Sequence, residues 1–173
     1  AEALVARMTL EEKASQLRYD APAIKRLGIP AYNWWNEALH GVGRAGIATV
    51  FPQTSGMAAS FDDNLVYKVF TAVSDEARAK YTEFKKSGNL QRYQGLTFWT
   101  PNINIFRDPR WGRGMETYGE DPFLVKEMGV AFVKGLQGEP EQSAEGIAPG
   151  KLAAMGKHFV AYSKPESGIN IAP

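Results

Sequence analysis

The most regular pattern of apolar and polar positions lies in the stretch that follows Asp62. Apolar side chains recur there at steps of three and four residues, which is the spacing of one face of an α-helix. The apolar positions are Val66, Val69, Phe70, Val73, Ala77, Tyr81 and Phe84. Asp62 suits an N-cap, and residues 85–89 bring two lysines and a glycine to the opposite end. The pattern predicts a long amphipathic helix with one face packed on a sheet.

Two further helices are predicted from their capping signals. Thr9 and Glu12 have the spacing of a capping box, so a helix is expected to begin there. Its apolar stripe consists of Leu10, Ala14 and Leu17. Asp121 followed by Pro122 is typical of an N-cap and a first helical residue, and it predicts a helix over residues 123–136. The buried stripe of this second helix consists of Leu124, Met128, Ala131 and Leu136.

Three apolar segments alternate with these helices and are predicted to be strands. Residues 27–35 have the pattern of a turn followed by a short buried strand, and residues 96–105 and 151–159 form the second and third strands. Strands that alternate with helices through right-handed crossovers form a parallel sheet. Long polar segments follow each predicted strand, which is the arrangement expected of an α/β barrel.

We therefore predict an α/β fold, the N-terminal portion of a (β/α)8 TIM-type barrel. A complete barrel needs about 250 residues, so the 173 residues are expected to be a single, incomplete domain. A flavodoxin-like open sheet is the alternative. The Gly-rich phosphate-binding turn typical of that fold is missing after the first strand, because Trp35, Asn36 and Glu37 stand there.

Composition narrows the classes of function. A net charge of +1 gives no indication of a nucleic-acid or membrane surface, and no apolar run approaches the roughly 20 residues of a membrane span. The absence of cysteine excludes disulfides, thiolate metal sites and a cysteine nucleophile. The compartment stays open, with a secreted or periplasmic location favoured over a cytoplasmic one.

The loop after the second predicted strand, residues 102–121, is unusually rich in charged side chains. It contains the arginines Arg107, Arg110 and Arg113, and the carboxylates Asp108, Glu116, Glu120 and Asp121. Glycines at three positions give the backbone the freedom to aim these polar groups inward. Aromatic side chains stand between the charges, which a solvated turn does not need. The loop is predicted to be the wall of a site for a polar ligand.

Polar residues follow all three predicted strands. Glu37 and His40 follow the first, the arginine-rich loop follows the second, and Lys157, His158 and Tyr162 follow the third. Because the carboxyl ends of parallel strands meet on one face of a sheet, these groups are expected to converge. Side chains of both charges occur here together with aromatic side chains, and there is no phosphate-binding loop. This combination suits a neutral polyhydroxylated ligand.

Each candidate also has a plainer structural interpretation. Glu37 could be an N-cap or form a salt bridge with Arg113. His40 is expected to bond the loop backbone rather than a ligand. Of Lys157 and His158, one could extend to solvent while the other caps a backbone carbonyl. The histidines show no metal-ligand spacing, so no cofactor or metal is predicted.

The arginines of the loop have a structural interpretation of the same kind. Arg107 or Arg110 could pair with the nearby carboxylates Asp108, Glu116 or Asp121. Arg113, between two glycines, is then expected to be the exposed member of the three.

Five segments together resemble a known family, namely residues 34–41, 48–53, 76–80, 102–121 and 156–159. They are similar to glycoside hydrolase family 3, especially its bacterial and fungal β-xylosidases and β-glucosidases. The similarity runs from about Met8 to the last residue. It implies a (β/α)8-type domain with a retaining exo-β-glycosidase site. It also implies that Glu37, Arg113, Lys157 and His158 bind hydroxyls of the non-reducing-end sugar, and glutamate at position 37 favours a xyloside.

The resemblance also predicts what this chain does not contain. The family's nucleophilic aspartate and acid/base glutamate are expected beyond Pro173, and Lys164 stands where many relatives have glycine. The expected partners are a β-linked oligosaccharide and the remainder of the polypeptide, or a complementary chain, that completes the barrel. Without a catalytic carboxylate of its own, the chain alone is expected to be inactive. A non-catalytic carbohydrate-binding or scaffold module is the alternative.

Overall fold

The computed structural model of the chain describes residues 1–88, 90–139, 146–159 and 162. The helices are α1 (Glu2–Ala6), α2 (Leu10–Ser15), α3 (Thr54–Ala58), α4 (Asp63–Lys86) and α5 (Pro122–Gln137). The strands are β1 (Asp20–Ala21), β2 (Tyr32–Asn33), β3 (Thr97–Phe98) and β4 (Ala153–Ala154), with 3-10 turns at Lys25–Leu27 and Gly114–Glu116. None of the helices in this described part has the length and apolar character that crossing a membrane requires.

Helix α4 confirms the prediction made from its periodicity. The Asp62 side chain accepts a hydrogen bond of 2.8 Å from the backbone N–H of Leu65, which makes it the N-cap. The helix ends at Lys86, and Gly88 follows with a φ of +76° that favours glycine. The face that it buries consists of Val66, Phe70, Val73, Ser74 and Ala77. This face packs against α5 rather than against a sheet alone.

Helix α5 begins at Pro122 with Asp121 as its N-cap, as the Asp121 and Pro122 signal predicted. Its buried positions are Val125, Met128, Gly129, Ala131, Phe132, Gly135 and Leu136. Leu124, expected in the stripe, is only partly buried. Phe132 stacks on Phe70 of α4 with the ring centroids 3.5 Å apart, so the two helices share one apolar core.

The predicted stripe of the first capped helix is wrong. The capping box between Thr9 and Glu12 is present, but Leu10 and Leu17 are 77% and 83% exposed. The helix is attached through its polar side instead, because Arg26 donates hydrogen bonds to the Glu12 carboxylate. The apolar stripe is therefore left on the surface of the described residues.

The second and third predicted strands are confirmed as parallel neighbours but are shorter than predicted. Thr97 of β3 pairs with Ala153 of β4 in parallel register, and an isolated parallel bridge joins Asn102 to Lys157. Between the pair and the bridge stands Pro101, which has no N–H to contribute to a ladder. The regular pairing therefore stops while the two segments continue side by side.

The first predicted strand does not join this parallel pair. Tyr32–Asn33 instead pairs antiparallel with β1. The residue that lies beside β3 is Asn36, whose carbonyl accepts a hydrogen bond of 2.8 Å from the Trp99 N–H. Its side chain donates to the Thr97 carbonyl at 2.7 Å. Three predicted segments are thus neighbours within a mixed helix and sheet fold, although only β3 and β4 form a regular parallel pair among the described residues.

Candidate functional site

The candidate site lies where these three neighbouring segments end. Glu37 follows Asn36 directly, the 3-10 turn Gly114–Glu116 lies in the loop after β3, and Lys157 comes three residues after β4. A cavity of about 280 Å³ opens between the first two of these segments. It is lined by Glu37, Leu39, His40, Gly41, Gly43, Gln53, Met115 and Glu116. The predicted convergence of the loops is therefore present for Glu37 and the loop after β3.

Arg113 forms the central ion pair of the site. Its Nε and one terminal nitrogen each donate a hydrogen bond of 2.6 Å to the carboxylate of Glu116, and its other terminal nitrogen donates to the Tyr162 hydroxyl at 3.0 Å. Only 27% of the Arg113 side chain and 17% of the Glu116 side chain are exposed. Such a bidentate pair holds the guanidinium plane in a single orientation.

The pair also sets the protonation states of its members. The hydrogen bonds to Glu116 raise the pKa of Arg113 above its ordinary value. Burial by itself would raise the pKa of the Glu116 carboxyl. The hydrogen bonds from Arg113 and the charges of Arg113 and Lys157 outweigh burial, so this pKa lies below its ordinary value. Both partners are therefore charged at neutral pH.

The expectation that Arg113 is the exposed arginine is wrong, and so is the suggested salt bridge with Glu37. Gly114 explains the difference, because a Cβ at that position would lie 2.3 Å from Cζ of Phe106. The missing side chain lets the 3-10 turn pack on the Phe106 ring, and Glu116 then stands three residues from Arg113. Arg107 and Arg110 are the exposed arginines of the loop. The Arg110 side chain is 69% exposed and pairs with Asp108 as predicted.

Lys157 is buried, with only 7% of the residue exposed, so it does not extend to solvent. Its backbone N–H donates to the Pro101 carbonyl at 2.9 Å and its carbonyl accepts from Ile103 at 2.8 Å. Burial lowers the pKa of its ammonium group, while the charges of Glu37 and Glu116 act in the opposite direction. Lys157 is thus electrostatically coupled to both carboxylates that line the cavity.

His158 bonds a side chain rather than a backbone carbonyl. Its Nδ1 lies 2.7 Å from Oδ1 of Asn104, and its ring centroid is 4.2 Å from that of Tyr162. Burial, followed by the charges of Arg113 and Lys157, lowers the pKa of His158 to about 4. The imidazole is therefore neutral over the whole range in which most enzymes work.

His40 confirms its structural interpretation. Its Nδ1 lies 2.9 Å from the Phe51 carbonyl oxygen, so the ring ties its own loop to the following one. Within the described part of the chain, no three histidine, aspartate or glutamate side chains are grouped as a metal would require.

Two residues of the site were not singled out by sequence reasoning. Glu116 was treated only as one of several carboxylates, although it stands three residues after Arg113 in a turn-forming stretch. Asn104 was not singled out at all. The available signal was the alternation Asn102, Ile103, Asn104 near the end of the predicted second strand, which places both amides on one side of an extended segment.

The ion pair yields a prediction about stability and pH. Replacing Glu116 by glutamine should lower the free energy of unfolding by about 1.5 kcal/mol at pH 7, because a half-buried guanidinium loses its charged partner. The pKa of Glu116 is depressed in the fold, so its contribution is present above the pKa of an unfolded glutamate and is lost as the pH falls through the lowered value. Chemical denaturation at several pH values measures this.

The matched control is Glu83→Gln, since Glu83 pairs with Lys86 at the same spacing but with 68% of its side chain exposed. That substitution should change the free energy of unfolding by less than about 0.5 kcal/mol at any pH. Equal losses in the two variants would contradict the role given to Glu116.

Comparison with known proteins places this chain in a family. The model of the glycosyl hydrolase family 3 N terminal domain matches residues 2–173. The chain is 52% identical over 165 residues to a xylan 1,4-β-xylosidase of Xylanibacter ruminicola. The aligned region covers 94% of this chain and 19% of that protein.

Solved structures are similar over nearly the whole chain. The exo-β-xylosidase XlnD, in complex with a xylobiose aziridine activity-based probe, matches with a TM-score of 0.76 and 37% identity, over 96% of this chain and 21% of that one. The β-glucosidase EmGH1 of Erythrobacter marinus matches with a TM-score of 0.66 and 35% identity, over 91% of this chain and 18% of that one. The chain spans about a fifth of the length of these relatives. The resemblance noted in the sequence is thereby confirmed, and the chain belongs to glycosyl hydrolase family 3, within the N-terminal domain of that family.

Proposed function

We propose that the protein to which this chain belongs hydrolyses terminal non-reducing β-D-xylosyl or β-D-glucosyl residues of oligosaccharides with retention of configuration. The observation that carries the proposal is the gathering of Glu37, Arg113, Lys157 and His158 at the ends of three neighbouring segments. The carboxylates of Glu37 and Glu116 line one cavity, and both act on the charge of Lys157. Family membership supplies the reaction class.

In this proposal the chain forms the sugar-binding part of the site. A sugar hydroxyl both donates and accepts hydrogen bonds, so it requires donors and acceptors side by side. The Glu37 carboxylate accepts from hydroxyls, whereas the Arg113 guanidinium and the Lys157 ammonium donate to them. Each hydrogen bond to a charged group contributes about 1.5–3 kcal/mol where water is excluded. These contacts bind the sugar in the ground state. Those that strengthen as the sugar ring distorts towards the transition state also accelerate the reaction.

The retaining mechanism needs two further carboxylates, one nucleophilic and one acid/base, about 5–5.5 Å apart. The proposal assigns neither of them to this chain. It places the chain in an incomplete (β/α)8 barrel domain, in which β3 and β4 are neighbouring strands and the site occupies their carboxyl ends. The remainder of the polypeptide, or a complementary chain, completes the barrel, so the 173-residue chain alone is expected to be inactive.

A xyloside is the favoured substrate. The relatives of higher identity described above are named as xylosidases, at 52% and 37%, and the β-glucosidase stands at 35%. We expect the full-length protein to hydrolyse nitrophenyl β-D-xyloside with a higher kcat/KM than nitrophenyl β-D-glucoside. The first product seen by proton NMR should be the β-anomer. Activity on neither glycoside would overturn the substrate class, and an α-anomer as first product would overturn retention.

The alternative is that the chain acts as it stands, as a non-catalytic carbohydrate-binding or scaffold module. It is favoured by one feature, namely that the sugar-binding residues assigned here all lie within the chain while the catalytic carboxylates do not. Calorimetric titration of the 173-residue chain with xylose and glucose distinguishes the two functions. Tight binding by a stable monomer would favour the module.

A further inference from the structure

One contact in the site fixes the position of a proton. Oδ1 of Asn104 lies 3.1 Å from the backbone nitrogen of His158 and 2.7 Å from its ring Nδ1. A backbone N–H can only donate, so the amide atom that faces it must be the oxygen rather than the nitrogen of the asparagine. That oxygen can only accept, and the Nδ1 beside it must therefore carry a hydrogen.

Asn104 is itself held firmly enough to impose this arrangement. Its backbone N–H donates at 3.0 Å to Oδ1 of Asn102, a residue with 0% exposure. The intervening Ile103 donates its backbone N–H to the Lys157 carbonyl at 2.8 Å, and Asn102 pairs with Lys157 in a parallel bridge. The segment that carries the amide and the segment that carries the imidazole are thus joined directly, next to the contact between them.

We propose that Asn104 is a positioning residue that holds His158 as the neutral Nδ1–H tautomer, which leaves Nε2 as a hydrogen-bond acceptor for a hydroxyl of the bound sugar. The tautomer follows from the contacts of the chain, whereas the identity of the ligand rests on the proposed function. The inference adds an uncharged acceptor to a site whose cations can only donate.

The surroundings of the ring favour the neutral form. Burial has the largest effect and disfavours a positive charge on His158. The cations of Arg113 and Lys157 oppose that charge as well, whereas the Glu116 carboxylate favours it. The Tyr162 ring packs against the imidazole, with its hydroxyl engaged by Arg113. Together these effects lower the pKa of His158 to about 4. A sugar hydroxyl can accordingly accept from Lys157 or Arg113 and donate its own proton to Nε2.

The tautomer is measured directly by nitrogen NMR of the full-length protein with labelled histidine, at pH 7. Subtracting the spectrum of a His158→Gln variant isolates the two ring nitrogens of His158. We expect a protonated, pyrrole-type Nδ1 and an unprotonated, pyridine-type Nε2. The opposite pattern, or a doubly protonated ring, would overturn the inference. This measurement needs no substrate, so its result is independent of whether the proposed glycosidase activity is found.

The role of Asn104 is measured by the pH dependence of kcat/KM. Asn104→Asp keeps the acceptor oxygen but adds a negative charge beside Nδ1, which should raise the pKa of His158 by about one to three pH units. With a pKa near 6, only about a tenth of the rings would be neutral at pH 5. The variant should then lose about tenfold in kcat/KM between pH 8 and pH 5, relative to wild type.

The matched control is Asn64→Asp, the same change at an exposed position in the first turn of α4. Its pH profile should superimpose on that of wild type. A third variant, Asn104→Leu, removes the acceptor without adding charge. It should lower kcat/KM at every pH, and the pH at which kcat/KM falls on the acidic side should stay that of wild type. An Asn104→Asp profile that superimposes on those of wild type and Asn64→Asp would overturn the positioning role.

Discussion

Replacing Arg113 by lysine is expected to lower kcat/KM for a nitrophenyl β-xyloside by on the order of 100-fold in the full-length protein. Lysine keeps the positive charge but cannot donate two parallel hydrogen bonds to Glu116 and a third to Tyr162. The Glu116 carboxylate would be left partly unpaired beside the cavity, and the donors proposed to bind the sugar would be displaced. Steady-state kinetics at constant pH measure the loss.

Arg110→Lys provides the matched control for this substitution. Arg110 also makes a bidentate pair, with Asp108, and lowers the pKa of that carboxyl to about 2. Its side chain, however, is 69% exposed. We expect kcat/KM to change by less than about twofold in this variant, because an exposed pair contributes little. Similar losses in the two variants would show that Arg113 has no special place in the site.

Gly135→Ala is expected to destabilise the fold by about 3 kcal/mol. Gly135 lies on the face of α5 that packs on α4, where an added Cβ would stand 2.5 Å from the Tyr67 carbonyl oxygen and 3.1 Å from the Thr71 nitrogen. Both atoms belong to the backbone of a helix, so no side-chain rotation can relieve the clash. The two helices would have to separate, which opens the core around Phe70 and Phe132. Chemical denaturation of the full-length protein measures the difference in free energy of unfolding.

Gly129→Ala makes the same change six residues earlier in the same helix. An added Cβ there would lie 3.5 Å from a methyl group of Ile103, which is ordinary contact. Alanine is also the better helix former by about 1 kcal/mol. We expect this variant to be as stable as wild type or more stable. A destabilised Gly129→Ala together with a tolerated Gly135→Ala would contradict the packing described for α4 and α5.

Helices α4 and α5 could be predicted from the sequence because their determinants are local. An aspartate at each N-cap and the three- and four-residue spacing on α4 and α5 were sufficient, and both caps are present. It was harder to predict which element packs on the apolar face of each helix. Leu10 and Leu17 have the same spacing as buried residues, but α2 is attached by Glu12 and Arg26. Periodicity identifies an apolar face and does not say what covers it.

The site was predictable in outline only. The four residues expected to bind a sugar do follow neighbouring segments. The segment that ends at Asn36 lies beside β3, and β3 and β4 form a parallel pair whose loops start on the same side. The exposure of Arg113 was predicted wrongly. The orientation of its side chain depends on the packing of Phe106 against Gly114, and no periodic pattern of apolar residues in the sequence indicates that contact. The contact between Asn104 and His158 could not be predicted either. It depends on the pairing between two segments separated by more than 50 residues.

The described side chains of the site carry balanced formal charges, with Glu37 and Glu116 opposite Arg113 and Lys157 and with a neutral imidazole beside them. A group of charges with no net charge acts strongly at the distance of a hydrogen bond, whereas its field beyond a Debye length, about 10 Å at 0.1 M salt, is small. Affinity for an uncharged pyranose should accordingly be nearly independent of ionic strength. A phosphorylated or uronic sugar would gain no long-range attraction to compensate for the desolvation of its charge.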